Sequence, residues 1–318
     1  MPQGVDAVLT YYKTVEGQLV QLPNQEPGCW IRAVAPTSHE IDHLVQDLGL
    51  DAGFVAASLD EEEASRIEQE DDQIFVVVDV PYRIEKEDED DAIGYTTLPL
   101  GIIITSDYFV TISSTMSAIL DNIAQGGARG IRTQYKTRFL LIILLRIAQR
   151  FLLHLRQIDR ISGSIESQLN ASTKNQALIQ ILGLEKALVY FSSSLRANET
   201  TLKKISRGRL IPLYEDDEDL LEDTLIEFNQ AIETTAIYSN ILSNTMDAYA
   251  NIINNNVNVV MKVLTSVTIL MTIPTMVFSY YGMNVSGLQM PVWWFPFIIS
   301  ILCAVAALIV LVKLKMFK

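Results

Sequence analysis

Residues 263–312 include no Asp, Glu, Lys, Arg or His, a run of 50 uncharged positions. A bilayer core takes about 20 apolar residues per helix. The run therefore reads as two spans, roughly 263–281 and 292–312, joined by a tight neutral connection over 282–291. A helical hairpin buried in a soluble core is the competing reading, but soluble cores of this length rarely lack charge altogether.

Basic residues set the orientation. The 282–291 loop has none, whereas Lys262 precedes the first span and Lys313, Lys315 and Lys318 follow the second. Positive charge stays on the cytoplasmic side, which places both termini in the cytoplasm and the loop outside. The opening "MPQGVDAVLTYY" lacks a basic n-region and an apolar h-region, so no signal peptide is expected. Cys29 would lie in the cytoplasmic part and Cys303 in the membrane, a pair that cannot bridge and that fits a reducing compartment. The expected location is the cell (inner or plasma) membrane.

The cytoplasmic part changes character along the chain. Residues 1–115 are expected to form an α/β domain. "IFVVVDV" (74–80), "TTLPLGIII" (96–104) and "YFVTISS" (108–114) are rich in β-branched residues and read as strands, and "HEIDHLVQDLGL" reads as a short helix. "EKEDEDD" (85–91) reads as a solvated acidic loop. Residues 116–214 are expected to be a helical region. "FLLIILLRIAQRFLLHLRQI" is broken by Arg146, Arg150 and Arg156, so it reads as a packed helix and not as a span, and a second helix is expected near 175–204. After Gly208 and Pro212, no Pro or Gly occurs before Pro274. A stalk helix over 215–262 would then run into the first span as a rod of roughly 100 Å.

One face of that helix is polar. Asn240, Asn244, Asp247, Asn251, Asn254, Asn258, Met261, Thr265, Thr268, Thr272, Thr275 and Ser279 follow one another at alternating steps of 4 and 3. A seven-residue repeat keeps them on one stripe. Eleven of the twelve are polar, and the last several fall inside the first span. Such a stripe cannot face lipid cheaply, and one hairpin cannot cover it. Asn and Thr at heptad positions can glue helices together. A stripe this long points instead to a homo-oligomer around an axial pore. Its amide and hydroxyl oxygens, with one carboxylate at Asp247, suit a hydrated hard cation such as magnesium. Soft metals would want sulfur or imidazole. The first span holds no titratable group, which argues against a proton relay and for passive flux.

"YGMN" (281–284), at the end of the first of two C-terminal spans, closely resembles the signature of the CorA family of divalent-cation channels. "VMKVLT" (260–265), the domain order, the long stalk and the basic tail resemble that family too. The resemblance implies a funnel-shaped homopentamer in the bilayer that carries Mg2+ (with Co2+ or Ni2+ as further ions), and no enzymatic activity. It implies that Asn284 is a ligand at the pore mouth, with Gly282 and Met283 shaping its turn, and that Asn258, Met261, Leu264, Thr268, Thr272 and Thr275 line the pore. It matches Asp247 to an acidic stalk ring and Asp223 to an intersubunit site at which magnesium holds the channel closed. Two departures stand out. The outer loop has Val292 and Trp293 after Met290-Pro291 where the family often has an acid. Ala56 and Ala57 fall where the family has regulatory acids; acids resume at Asp60, Glu61, Glu62 and Glu63, with Asp60 the candidate cation ligand.

Other motifs weigh less. "HEIDH" (39–43) has the zincin spacing, but Thr37 and Glu40 make a capping box that already employs the glutamate. "GGARG" (126–130) follows a helix and lacks the Lys-Ser/Thr of a phosphate loop. With 38 acidic against 24 basic residues, the net charge of −14 opposes nucleic-acid binding. Two alternatives to a magnesium channel remain: a zinc, cobalt or nickel transporter of the same fold, and a non-conducting membrane sensor.

Overall fold

The computed structural model describes residues 8–84, 94–127, 130–168, 174–283 and 292–317. The chain divides into two compact units, Met1–Ser243 and Asn244–Lys318.

The first unit is built on a seven-stranded sheet. Its strands are β1 (Val8–Val15), β2 (Gln18–Leu22), β3 (Trp30–Val34), β4 (Arg66–Glu70), β5 (Gln73–Ile84), β6 (Gly94–Ile104) and β7 (Phe109–Ser113), in the order β2-β1-β3-β7-β6-β5-β4. All pairs are antiparallel except β3 with β7, where Trp30 faces Phe109 and Val34 faces Ser113. That parallel pair requires a crossover, and β4, β5 and β6 lie within it in the chain. The three strands expected from sequence are β5, β6 and β7; the other four are additions.

Helices cover both faces, which is why the central strands read as continuous apolar runs. On β5, Phe75 and Val77 turn to one side and Val76 and Val78 to the other, all fully buried. The first side packs beneath α1 (Ser38–Asp42), a π turn at His43–Asp47 and α2 (Ala52–Leu59), through Leu44, Leu50, Phe54 and Val55. The box at the head of α1 is present: the Glu40 amide donates to Thr37 Oγ1 at 3.3 Å, and the Thr37 amide donates to Glu40 Oε2 at 2.8 Å. Gly101 on β6 lets α2 approach closely, since a Cβ there would sit 1.8 Å from Ser58 Oγ.

The other side packs against α4 (Lys136–Gln168) and α5 (Lys174–Ile205), which follow the short α3 (Ala118–Ala124). Trp30, Phe109 and Phe139 form one aromatic group there, with Trp30–Phe139 and Phe109–Phe139 centroids 5.3 and 4.6 Å apart. By length and composition α5 could cross a membrane. Its apolar face is occupied instead: Leu188, Phe191 and Leu195 are fully buried, and Asn198 Nδ2 donates to the Asp79 carbonyl at 2.8 Å.

A 3-10 turn at Glu215–Asp217 opens α6 (Glu218–Tyr281), a helix of 64 residues. Its first turn carries Glu218 and Asp219, where acids suit the positive end of the helix dipole. The second unit contains the end of α6 and α7 (Phe295–Lys313), with a proline near the start of α7 and Lys313 in its last turn. Both helices are long and apolar enough to cross a bilayer.

Candidate ion pathway

Within the second unit α6 has two unlike faces. At roughly 100° per residue, Ser266, Leu270, Ile273 and Val277 fall on one side, and all four are buried or half-buried. On α7, Ser300 and Leu311 are buried, with Ala304 and Ala307 half-buried between them. Aromatic contacts tie the two helices at one end: Phe278 to Phe297 at 5.0 Å and Tyr281 to Phe295 at 6.1 Å. Small side chains at such positions let transmembrane helices come close. This α7-facing row has the same 4-3-4 spacing as the polar stripe, and that spacing was the signal in the sequence that could have revealed it.

Through the span the stripe lies on the far side of α6 from that row, roughly 150° around the helix. Asn244, Asp247, Asn251, Asn254, Asn258, Met261, Thr265, Thr268, Thr272, Thr275 and Ser279 are all exposed, as is Leu264 beside them. One chain therefore covers its apolar interhelical face and leaves its polar face bare.

The threonines are chemically oriented. The hydroxyl of Thr268 donates to the Leu264 carbonyl at 2.9 Å, Thr272 to Thr268 at 2.8 Å and Thr275 to Met271 at 3.0 Å. Such back-bonding satisfies a hydroxyl inside a helix. With its proton so committed, each Oγ1 offers only lone pairs outward. Pro274 brings no N–H, so the carbonyl of Leu270, a member of the α7-facing row, lacks its usual helical donor.

Beyond the last threonine, the Gly282 amide donates to the Phe278 carbonyl at 2.9 Å and the Met283 amide to that of Tyr280 at 3.5 Å. A Cβ on Gly282 would stand 3.1 Å from the Phe278 oxygen, so glycine permits this close turn. Met283 is exposed. Asn284 lies outside the described residues. Trp293 and Trp294, before α7, are exposed, the placement expected of an aromatic belt at a membrane interface.

The expected cation-sensing acids do not converge within one chain. Among the described residues no group of three or more His, Cys, Asp or Glu is close enough to hold a metal ion. Asp60 is exposed at the C-terminus of α2, where its Oδ1 accepts from the Glu62 amide at 3.0 Å. Glu63 is engaged by Arg66. Asp223 and Asp247 are exposed on α6. Ala56 is exposed and Ala57 half-buried on α2, so the face of that helix carries no carboxylate at these positions. In the zincin-like segment, His43 Nδ1 lies 2.6 Å from Asp47 Oδ2, and Glu40 is held by Thr37 and the Leu9 amide.

Known proteins share this fold. The profile of the family described as "CorA-like Mg2+ transporter protein" matches residues 26–316. The cobalt/magnesium transport protein CorA of Methanocaldococcus jannaschii is 29% identical over 265 residues, 82% of this chain and 81% of that protein. The complete structure of the CorA magnesium transporter from the same organism superposes with a TM-score of 0.81 at 25% identity, covering 98% of both chains. The full-length CmaX protein shares the fold at 14% identity, with a TM-score of 0.72 over 98% of this chain and 99% of that one. The chain belongs to the CorA family, whose members are membrane transport proteins for divalent cations and not enzymes.

Proposed function

We propose that this protein is a magnesium channel in which several copies of α6 surround a water-filled axis. The observation that carries this reading is the exposed stripe of amide and hydroxyl oxygens, with the single carboxylate of Asp247, on the face of α6 away from α7. A hydrated Mg2+ turns the hydrogens of its waters outward, and lone pairs on Thr268, Thr272 and Thr275 are what those hydrogens need. Magnesium parts with its water reluctantly, so outer-sphere contact is the cheaper mode of passage. The repeat of seven drifts by about 20° per heptad on a straight helix, so copies that keep the stripe inward wrap around one another in a left-handed sense.

The assembly is a homopentamer, by analogy with the family, with both termini in the cytoplasm and the 282–291 loop outside. Asn284 receives the hydrated ion at the mouth, and Asn258, Met261 and Leu264 line the inner stretch with Asp247 as an acidic ring below. The membrane potential drives entry: at about 2.3 kcal/mol per elementary charge per 100 mV, a divalent ion gains about twice that. Cytoplasmic magnesium closes the pore by bridging acids between subunits, among them Asp223 and, in place of the alanines on α2, Asp60. Cobalt is a second permeant ion, in keeping with the name of the archaeal relative, and nickel a third.

Asn284→Ala is expected to abolish magnesium uptake in a transport-deficient host, and normal uptake by that variant would sink the assignment of the mouth. Ion-specific flux into proteoliposomes, with internal magnesium varied and with or without a pH gradient, separates a passive channel from a proton-coupled zinc or nickel transporter and from a non-conducting sensor.

A further inference from the structure

A cavity of about 910 Å³ opens in the first unit, between the segment that leads into α4 and the segment that leads into α6. Its lining combines the apolar Ile74, Ile104 and Ile211 with Arg132, Lys136, Arg138, Tyr135 and Tyr214. Small-molecule sites combine this scale of volume with apolar side chains and a few convergent polar groups. Asp216 and Asp217 line the cavity too, which leaves a net positive lining in a chain of net charge −14.

The charges are unevenly satisfied. Arg138 Nη1 donates to the Asp216 carbonyl at 2.8 Å and to Asp217 Oδ1 at 3.3 Å. Lys136 Nζ donates to the carbonyls of Thr105 at 2.7 Å and Ser106 at 2.5 Å, and the one carboxylate that acts on its charge, Asp107, makes no hydrogen bond or ion pair with it. Burial lowers its pKa from the usual lysine value, and the charge of Asp107 offsets this only in part; a bound anion would favour the charged form further. Arg132 lies over the Tyr135 ring, 5.4 Å from its centroid, and among the described residues no carboxylate pairs with it. Lys136 and Arg138 sit in the first turn of α4, which has no acidic residue, so side-chain charge and helix dipole there have the same sign. Tyr135 and Tyr214 are 54% and 62% exposed, two flat aromatic faces beside these cations.

We propose that this cavity binds a nucleoside polyphosphate, its base on a tyrosine face and its phosphates between Arg132 and Lys136. Arg and Lys are the usual partners of phosphate. A base stacks on an exposed aromatic ring whatever its sequence identity, and a guanidinium already seated on Tyr135 shows that ring engaging a flat group. An entering phosphate would compete with Asp217 for Arg138. Asp217 belongs to the turn that opens α6, so occupancy would act on the start of the helix that carries the polar stripe.

The test uses the full-length protein in detergent, with ATP as probe and EDTA present so that magnesium plays no part. The expected result is saturable binding, with tripolyphosphate roughly tenfold weaker than ATP, the scale of one base stacked on an aromatic ring. Arg132→Ala and Tyr135→Leu change exposed side chains and are expected to weaken ATP binding by roughly tenfold each, with Tyr214→Leu as a further variant should either fail to fold. No saturable ATP binding by the wild-type chain, tripolyphosphate binding as tightly as ATP, or wild-type affinity in all folded variants would overturn the proposal. Binding is read without flux, so its failure leaves the transport reading standing, and loss of transport in other variants leaves this one untouched.

Discussion

The hydroxyl of Thr272 donates to the carbonyl oxygen of Thr268 at 2.8 Å, and the hydroxyl of Thr268 donates one turn further back, to Leu264 at 2.9 Å. Each threonine thus hands its proton to its own helix and keeps its lone pairs for whatever stands before the stripe. Thr272→Val keeps the shape and removes the acceptor. It is expected to reduce magnesium flux into proteoliposomes by roughly tenfold, equivalent to about 1.4 kcal/mol of barrier, whereas Thr272→Ser retains most of the flux. Equal flux in the serine and valine variants would mean that the acceptor plays no part.

Cysteine accessibility tests the orientation. Trp293, 82% exposed before α7, and Lys315, exposed just after it, would lie on opposite sides of the membrane. In a chain carrying Cys303→Ser, Trp293→Cys is expected to react with a membrane-impermeant thiol reagent applied to intact cells, and Lys315→Cys only after lysis. The native Cys29 is fully buried and stays silent. Labelling of the two sites from the same side contradicts the proposed topology.

Close contact between Gly101 and Ser58 sets the spacing of α2 on the sheet. Ser58 is fully buried, with its hydroxyl on the Phe54 carbonyl at 2.7 Å. Gly101→Ala is expected to lower stability by about 1–3 kcal/mol through overpacking, seen as a fall in Tm. Ser58→Gly in the same chain removes the colliding atoms and is expected to restore part of the loss.

His154 makes stability depend on pH. It is almost fully buried, with Nδ1 3.0 Å from Gln157 Oε1 and Nε2 without a partner, and burial lowers its pKa from 6.5 to about 4. Between these values the unfolded chain binds the proton and the folded one does not. The contribution is therefore complete above the unfolded value and is lost as pH falls from about 6.5 towards 4. The full effect is on the order of 3 kcal/mol. His154→Leu is expected to flatten this part of the denaturant midpoint-versus-pH curve, and an unchanged slope would remove His154 as its source.

What the sequence reveals of this fold follows from how local each signal is. The β-branched runs that became β5, β6 and β7 are buried on both faces and stand out without their neighbours. β4 reads Arg-Ile-Glu-Gln-Glu because it is an edge strand with most of its side chains in water, where charge also discourages further pairing. β3 hides behind Arg32, whose guanidinium is neutralised by Asp121, 89 residues away. The polar stripe is legible because a single helix imposes its period. The cavity beside Arg132 joins residues from 74 to 217, and no window of sequence contains it.

The two-faced character of α6 has a mechanical consequence. Beside the threonine stripe, one position before Thr268 and Thr272, stand Val267 and Met271, both exposed. A turn of α6 about its own axis by roughly 100° would replace hydroxyls with these greasy side chains without bringing the helices closer together. A narrow apolar collar expels water. Conduction in such an assembly could stop through a change in wettability at constant width, with α7 carried round as a passenger on the opposite side.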